Sequence, residues 1–205
     1  MLEIINLTCT RGDRTLFTHL AFTVSPGSLL HIRGDNGSGK TTLLRTLCGL
    51  FLQDTGEVRW GGKNIRKLQE TYRKELLYLG HHNAIKDDLT GLENLHISAQ
   101  LSGEPASEKN CWQALEKIGL RGYEDLPTKV LSQGQKRRVA LSRLFLSKAK
   151  LWILDEPFTA LDVAAVDLLQ SIISKHIEND GIVLLTTHQE VALTSGHSQQ
   201  LHLGA

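Results

Sequence analysis

Short apolar runs recur along the chain at Leu29-Leu30-His31-Ile32, Leu76-Leu77-Tyr78-Leu79, Leu151-Trp152-Ile153-Leu154 and Ile182-Val183-Leu184-Leu185. Runs of this length without polar alternation suit strands buried on both faces, and they predict parallel strands. Residues 2–33 read as β-rich, with apolar segments also at Ile4-Ile5 and Leu20-Ala21-Phe22, punctuated by Gly12-Asp13 and Pro26-Gly27. Glu57-Val58-Arg59-Trp60 followed by Gly61-Gly62 predicts a strand closed by a tight turn. Leu43, Leu44 and Leu47 fall on a helical period. Between 83 and 148 the pattern changes: helical periods appear near 91–101, 107–119 and 134–147, without a strand-like segment. The expectation is one α/β domain over 1–205. It has a mainly parallel sheet core, an N-terminal antiparallel β subdomain and a helical subdomain inserted at 83–148.

Composition narrows the partners. The 205 residues carry 23 basic and 22 acidic side chains, so no bulk field draws the chain to nucleic acid or anionic lipid. Cys9, Cys48 and Cys111 are far apart and show no C-x-x-C spacing, which predicts buried reduced thiols. No apolar run approaches the ~18 residues of a membrane span, and Met1–Ile5 lacks the features of a secretion signal. The expectation is a soluble intracellular chain that does not itself span a membrane.

The chemistry concentrates at Gly34-Asp35-Asn36-Gly37-Ser38-Gly39-Lys40-Thr41, which fits G-x-x-x-x-G-K-[ST] between a strand and a helix. That arrangement stacks loop N–H groups and the positive helix end onto a phosphate. Gly34, Asn36, Gly37, Ser38 and Gly39 would form the cradle for ATP. Lys40 would reach the β- and γ-phosphates, the Thr41 hydroxyl would ligate Mg²⁺, and Thr42 follows in the same turn. A P-loop nucleotide-binding fold is the expectation. Asp155 and Glu156 follow the run 151–154, and a buried parallel strand delivers such residues into the ligand crevice. Asp155 would hold Mg²⁺ through water, and Glu156 would orient or deprotonate the attacking water. Ser132 and Gln135 read as a capping box opening a helix. With Gly134 the same helix end reads as a second phosphate-binding surface. Two copies facing head to tail would give each ATP one loop from each chain.

The phosphate loop, Leu131-Ser132-Gln133-Gly134-Gln135, Asp155-Glu156, Thr159-Ala160-Leu161-Asp162 and Thr186-Thr187-His188 occur in the order and rough spacing of ATP-binding cassette (ABC) ATPases. The chain resembles that family over essentially its whole length. The resemblance implies that Ser132 and Gly134 contact the γ-phosphate held by a partner subunit. It places Asp162 at a homodimer interface and His188 at the γ-phosphate. Arg11 aligns with an aromatic that commonly stacks on adenine; it either stacks there as a guanidinium plane or is a solvent-facing turn arginine. Gln133 stands where the family usually has glycine. His81-His82 stand where it has a glutamine that touches Mg²⁺ or its water and couples to a membrane partner.

The run Gln133–Arg143 and the segment Leu151–Val166 are similar to ATPase subunits of bacterial cytochrome c maturation complexes, the haem exporters. That resemblance implies an ATP-hydrolysing subunit bound peripherally to the cytoplasmic face of the inner membrane. Integral membrane subunits would be its partners, and it places haem handling in them rather than in His81, His82 or His96. Competing readings are the ATPase of a transporter for another substrate, a soluble mechanical ABC protein and a nucleotide sensor without turnover. The mechanical class usually carries a long coiled-coil insertion or tandem cassettes, which this chain lacks, and Glu156 with His188 argues against the sensor.

Overall fold

Buried positions in β1 (Leu2–Arg11) change phase midway: Leu2 and Ile4 are buried, then Leu7 and Cys9. Side chains alternate faces with a period of two, so the three-residue step between Ile4 and Leu7 requires an inserted residue. The register to both neighbouring strands shifts here, and Asn6 sits within the irregularity at φ 49°. One long bulged strand therefore replaces the short segment expected around Ile4-Ile5.

The remaining elements, in order, are β2 (Arg14–Val24), β3 (Ser28–Arg33), α1 (Lys40–Leu47), β4 (Thr55–Trp60), β5 (Lys63–Asn64), α2 (Ile65–Leu68) and α3 (Glu70–Lys74). There follow β6 (Leu76–Leu79), α4 (Gly91–Leu101), α5 (Glu108–Lys117), α6 (Gln133–Leu141), β7 (Leu151–Asp155), α7 (Val163–Glu178), β8 (Ile182–Thr186) and β9 (His197–His202). Short 3₁₀ turns occupy Thr128–Val130 and Ser142–Phe145. This computed structural model describes residues 1–187 and 197–204.

The chain divides into two units, the first holding Met1–Tyr78, Ala149–Glu156 and Ile173–Ala205. Its larger sheet has the order β6-β7-β8-β3-β9, with β3–β8, β7–β8 and β3–β9 all parallel. Every residue of β7 and β8 is buried, as is all of β3 except Arg33. That burial is why these strands read as continuous apolar runs. A second sheet, β2-β1-β4-β5, is antiparallel. Leu43, Leu44 and Leu47 of α1 join Leu30, Ile32, Ile153 and Leu184 in the core. Each such side chain contributes ~1.5–3 kcal/mol by leaving water, and together they anchor α1 and the loop that precedes it. The Tyr72 hydroxyl donates to the Leu47 carbonyl at 2.7 Å, satisfying one of the orphan acceptors at the C-terminal end of α1.

The second unit holds Leu79–Lys148 and Pro157–Ile172. In α4, Thr90 and Glu93 form a reciprocal capping box. Buried Asn94 ties down the approach to this helix: it donates to the carbonyls of Lys86 and Thr90 and accepts from the Lys86 N–H. Leu95, Ala99, Cys111, Leu115, Val139 and Leu144 are buried. The helical period expected near 134–147 is shorter as a regular helix. α6 ends at Leu141, and the Ser142 hydroxyl donates to the Val139 carbonyl at 2.7 Å, so a serine competes for the last-turn acceptors where a 3₁₀ turn takes over. All three cysteines are free and buried, and burial pushes the Cys48 thiol far above its ordinary range. Among the described residues no helix is long and apolar enough to cross a membrane.

Candidate functional site

β3 ends at Arg33 and α1 begins at Lys40, so Gly34–Gly39 form the loop between a buried parallel strand and a helix N-terminus. Gly37 and Gly39 take φ of 82° and 100°, a region that favours residues without a Cβ. The Ser38 N–H donates back to the Asp35 carbonyl at 3.1 Å, closing the turn. The Lys40 ammonium donates to the carbonyls of Gly34 at 2.6 Å and Asp35 at 3.0 Å, so its charge is folded onto the loop it follows. The Ser38 hydroxyl is buried and has no hydrogen-bond partner among the described residues. Such a group inside a loop of N–H donors suits an oxygen-rich anion. Asn36 is exposed, and Thr42 lies on the buried face of α1.

The register of β7 against β8 sets Asp155 beside Thr186. Asp155 is 2 % exposed and accepts the Thr41 hydroxyl at 2.9 Å and the Thr186 hydroxyl at 2.7 Å. Thr186 also takes the Glu156 N–H, on its own hydroxyl at 3.0 Å and on its carbonyl at 3.2 Å. One threonine at the end of β8 thus positions both carboxylate residues. Glu156 leaves the strand at φ 50°, a backbone state that costs a side-chain-bearing residue energy and is usually held where function needs it. Thr186 was legible only as part of a motif; its role emerges from strand pairing.

The donor set suits a hard cation. Thr41 and Asp155 offer oxygen alone, and among the described residues no cluster of three His, Cys, Asp or Glu side chains could cage a metal. Mg²⁺ characteristically takes one or two protein oxygens and completes its shell with substrate phosphates and water, so Thr41 and Asp155 fit it.

A second group of expected residues lies together in the other unit. Ser132 caps α6: its hydroxyl accepts the Gln135 N–H at 3.2 Å, and the Gln135 side chain accepts the Ser132 N–H at 2.9 Å. Ser132 remains exposed. A Cβ on Gly134 would stand 2.8 Å from the Ala160 carbonyl oxygen, so close backbone packing forbids any side chain there. Asp162 accepts the Ala165 N–H at 2.9 Å and pairs with Arg138 at 2.6 Å, which gives it structural work inside one chain. Buried Arg137 donates to the carbonyls of Pro157 and Gly80 and to the Asn83 side chain, fastening both ends of the exposed His81-His82 turn. The two imidazoles meet edge to face, with ring centroids 5.5 Å apart. Arg11 ends β1, exposed, opposite Arg14 across the Gly12-Asp13 turn. His188 lies outside the described residues.

Comparison with known proteins agrees with this geometry. A family model described as "ABC transporter" matches residues 17–159. The chain is 54% identical over 204 residues to a protein of Dechloromonas aromatica named "Cytochrome c biogenesis ATP-binding export protein CcmA", covering all of both chains. Among solved structures, a putative ABC transporter ATP-binding protein from Pyrococcus furiosus superposes with a TM-score of 0.83 at 26% identity, over 98% of this chain and 96% of that one. An ATP-binding cassette solved as a dimer in a post-hydrolysis state with ADP and Pi superposes with a TM-score of 0.86, over 100% of this chain and 97% of that one. At 22% identity this last match bears on the fold alone.

Proposed function

This chain belongs to the ABC transporter family, and we propose that it is the ATPase subunit of a membrane complex that drives haem export or delivery for cytochrome c maturation. It is an ATP-hydrolysing member of that family. The haem assignment draws on full-length identity of 54% to a cytochrome c biogenesis export protein. The observation that carries the catalytic reading is the Thr41–Asp155–Thr186–Glu156 network at the mouth of the phosphate loop.

In this reading 1–205 is a single cassette with 83–148 as its helical insertion. The backbone N–H groups of Gly37–Thr41 and the Lys40 ammonium take the phosphates of ATP, because N–H donors and one fixed cation match a polyanion in a preformed cradle. Thr41 and, through water, Asp155 would hold Mg²⁺, which supplies charge stabilisation on the phosphate oxygens. Glu156, aimed past the strand end by its backbone geometry, orients the attacking water and accepts its proton. Ser132 and Gly134 serve the nucleotide of a second copy, with Asp162 at that interface and His188 at the γ-phosphate. The chain works as a homodimer, peripheral on the cytoplasmic face of the inner membrane, beneath integral membrane subunits.

Extraction of the tagged chain from its native membranes in mild detergent, followed by identification of what accompanies it and by phosphate release, tests the reading. The expected result is integral membrane subunits in fixed ratio, ATP turnover that they stimulate, and haem retained by those subunits. A preparation that hydrolyses ATP but brings down membrane subunits carrying a different cargo would contradict the haem assignment. Absence of ATP turnover in the intact complex would contradict the enzymatic one.

A further inference from the structure

The first residues of β2 face the phosphate loop. A Cβ built on Gly39 would stand 3.0 Å from Leu16 Cβ, and one built on Gly37 would stand 3.7 Å from Arg14 Nη1. Alternate residues of a strand share a face, so Arg14 and Leu16 contact neighbouring parts of the loop from one side of β2. The Lys40 ammonium occupies a different place, on the carbonyls of Gly34 and Asp35. The loop is therefore approached by two cations.

A second observation points the same way. Arg14 is paired in register with Arg11 across the Gly12-Asp13 turn. Like charges directly opposite one another on a strand pair are destabilising. Among the described residues neither Arg11 nor Arg14 has a carboxylate partner within ion-pair distance. Two opposed guanidinium groups without an acid, one of them against Gly37, form a place whose repulsion a polyanion would relieve.

We propose that Arg14 is a nucleotide-contacting residue, a second cation on the polyphosphate beside Lys40. Its planar fork presents two parallel N–H donors in fixed geometry to phosphate oxygens, where an ammonium offers only a compact charge with rotating donors. The proposal rests on the reading of Gly34–Thr41 as the nucleotide loop. It concerns the phosphates rather than the base, which remains the question for Arg11.

Titration of ATP and of inorganic triphosphate into the intact protein, with Arg14→Ala, Arg14→Lys and Lys40→Ala beside the wild type, separates the possibilities. Arg14→Ala is expected to weaken both ligands about tenfold or more, the usual worth of a charge-assisted bond. Arg14→Lys should regain part of that loss for both. Thermal melting of Arg14→Ala should match the wild type, since the side chain is exposed. If Arg14→Ala weakens ATP but leaves triphosphate unchanged, the contact is with base or ribose and the proposal is wrong. Unchanged binding of both ligands also overturns it. Wild-type binding by Lys40→Ala would show that the loop itself is misread, a failure distinct from that of Arg14 and one that removes the proposal's premise.

Discussion

Glu156 and Asp155 are adjacent in sequence yet receive opposite surroundings. Asp155 is enclosed and accepts two threonine hydroxyls, while Glu156 turns out of the strand through a left-handed backbone step. With Glu156 as the proposed base for the attacking water, Glu156→Gln should retain ATP affinity and slow hydrolysis by about 10²–10⁴, the worth of a positioned general base. Nucleotide titration with single-turnover phosphate release checks both halves. Loss of affinity along with rate would assign Glu156 to binding instead. The two carboxylates were legible because acids directly after an apolar run stand where a buried parallel strand opens into its ligand crevice. The Thr186 hydroxyl that orients them was not, because its neighbour is chosen by the β7–β8 register, which no local pattern encodes. The Gly134 packing is of the same kind: its sequence shows a helix start, and only the fold brings Ala160 within 2.8 Å of where a Cβ would be.

Elements announced themselves in proportion to how uniformly they are buried. β3, β7 and β8 are buried throughout, Arg33 aside, and read directly as apolar runs. β9 joins the same sheet beside β3, but apart from half-buried Leu201 its residues are polar and exposed, so one apolar position is its whole hydrophobic signature. α7 buries Ala165, Leu169, Ile173 and Ile177, a stripe with a four-residue step that the continuous apolar runs around it overshadow. Near its C-terminal end, His176 stacks on Trp152 of β7 with ring centroids 3.7 Å apart and planes 6° from parallel, and its Nε2–H donates to the Lys150 carbonyl. Burial holds this imidazole below its ordinary pKa of 6.5. The unfolded chain then binds the extra proton more readily, so the contribution to stability is complete above about pH 6.5 and is lost as pH falls below it. His176→Phe keeps a ring on Trp152 without a titrating group. Denaturant unfolding should show a shallower fall in stability between pH 7 and 5 than the wild type. An unchanged fall would place the acid sensitivity elsewhere.

The whole chain reads as a cassette whose two functional groups of residues face different tasks. Thr41, Asp155 and Glu156, the proposed catalytic and metal-holding residues, lie in the first unit, while the second unit presents Ser132 and the His81-His82 turn at its surface. Arg137 fastens that turn at Gly80 and Asn83 and also holds Pro157, the residue after Glu156. If the proposed complex exists, this exposed turn is the place where its membrane subunits would sense the state of the nucleotide. Replacing His81 and His82 together by alanine should leave ATP binding nearly intact while abolishing stimulation of turnover by those subunits. Glutamine at one of the two positions should restore part of it, since glutamine can also donate and accept. Wild-type stimulation in the double variant would reduce both to ordinary loop residues. The central proposal at this scale is that two copies complete each other's sites. Light scattering of Glu156→Gln with ATP and Mg²⁺ measures this directly. The expected result is a stable dimer that retains two ATP molecules and returns to monomer when nucleotide is removed. A variant that binds ATP yet stays monomeric at high concentration would contradict it.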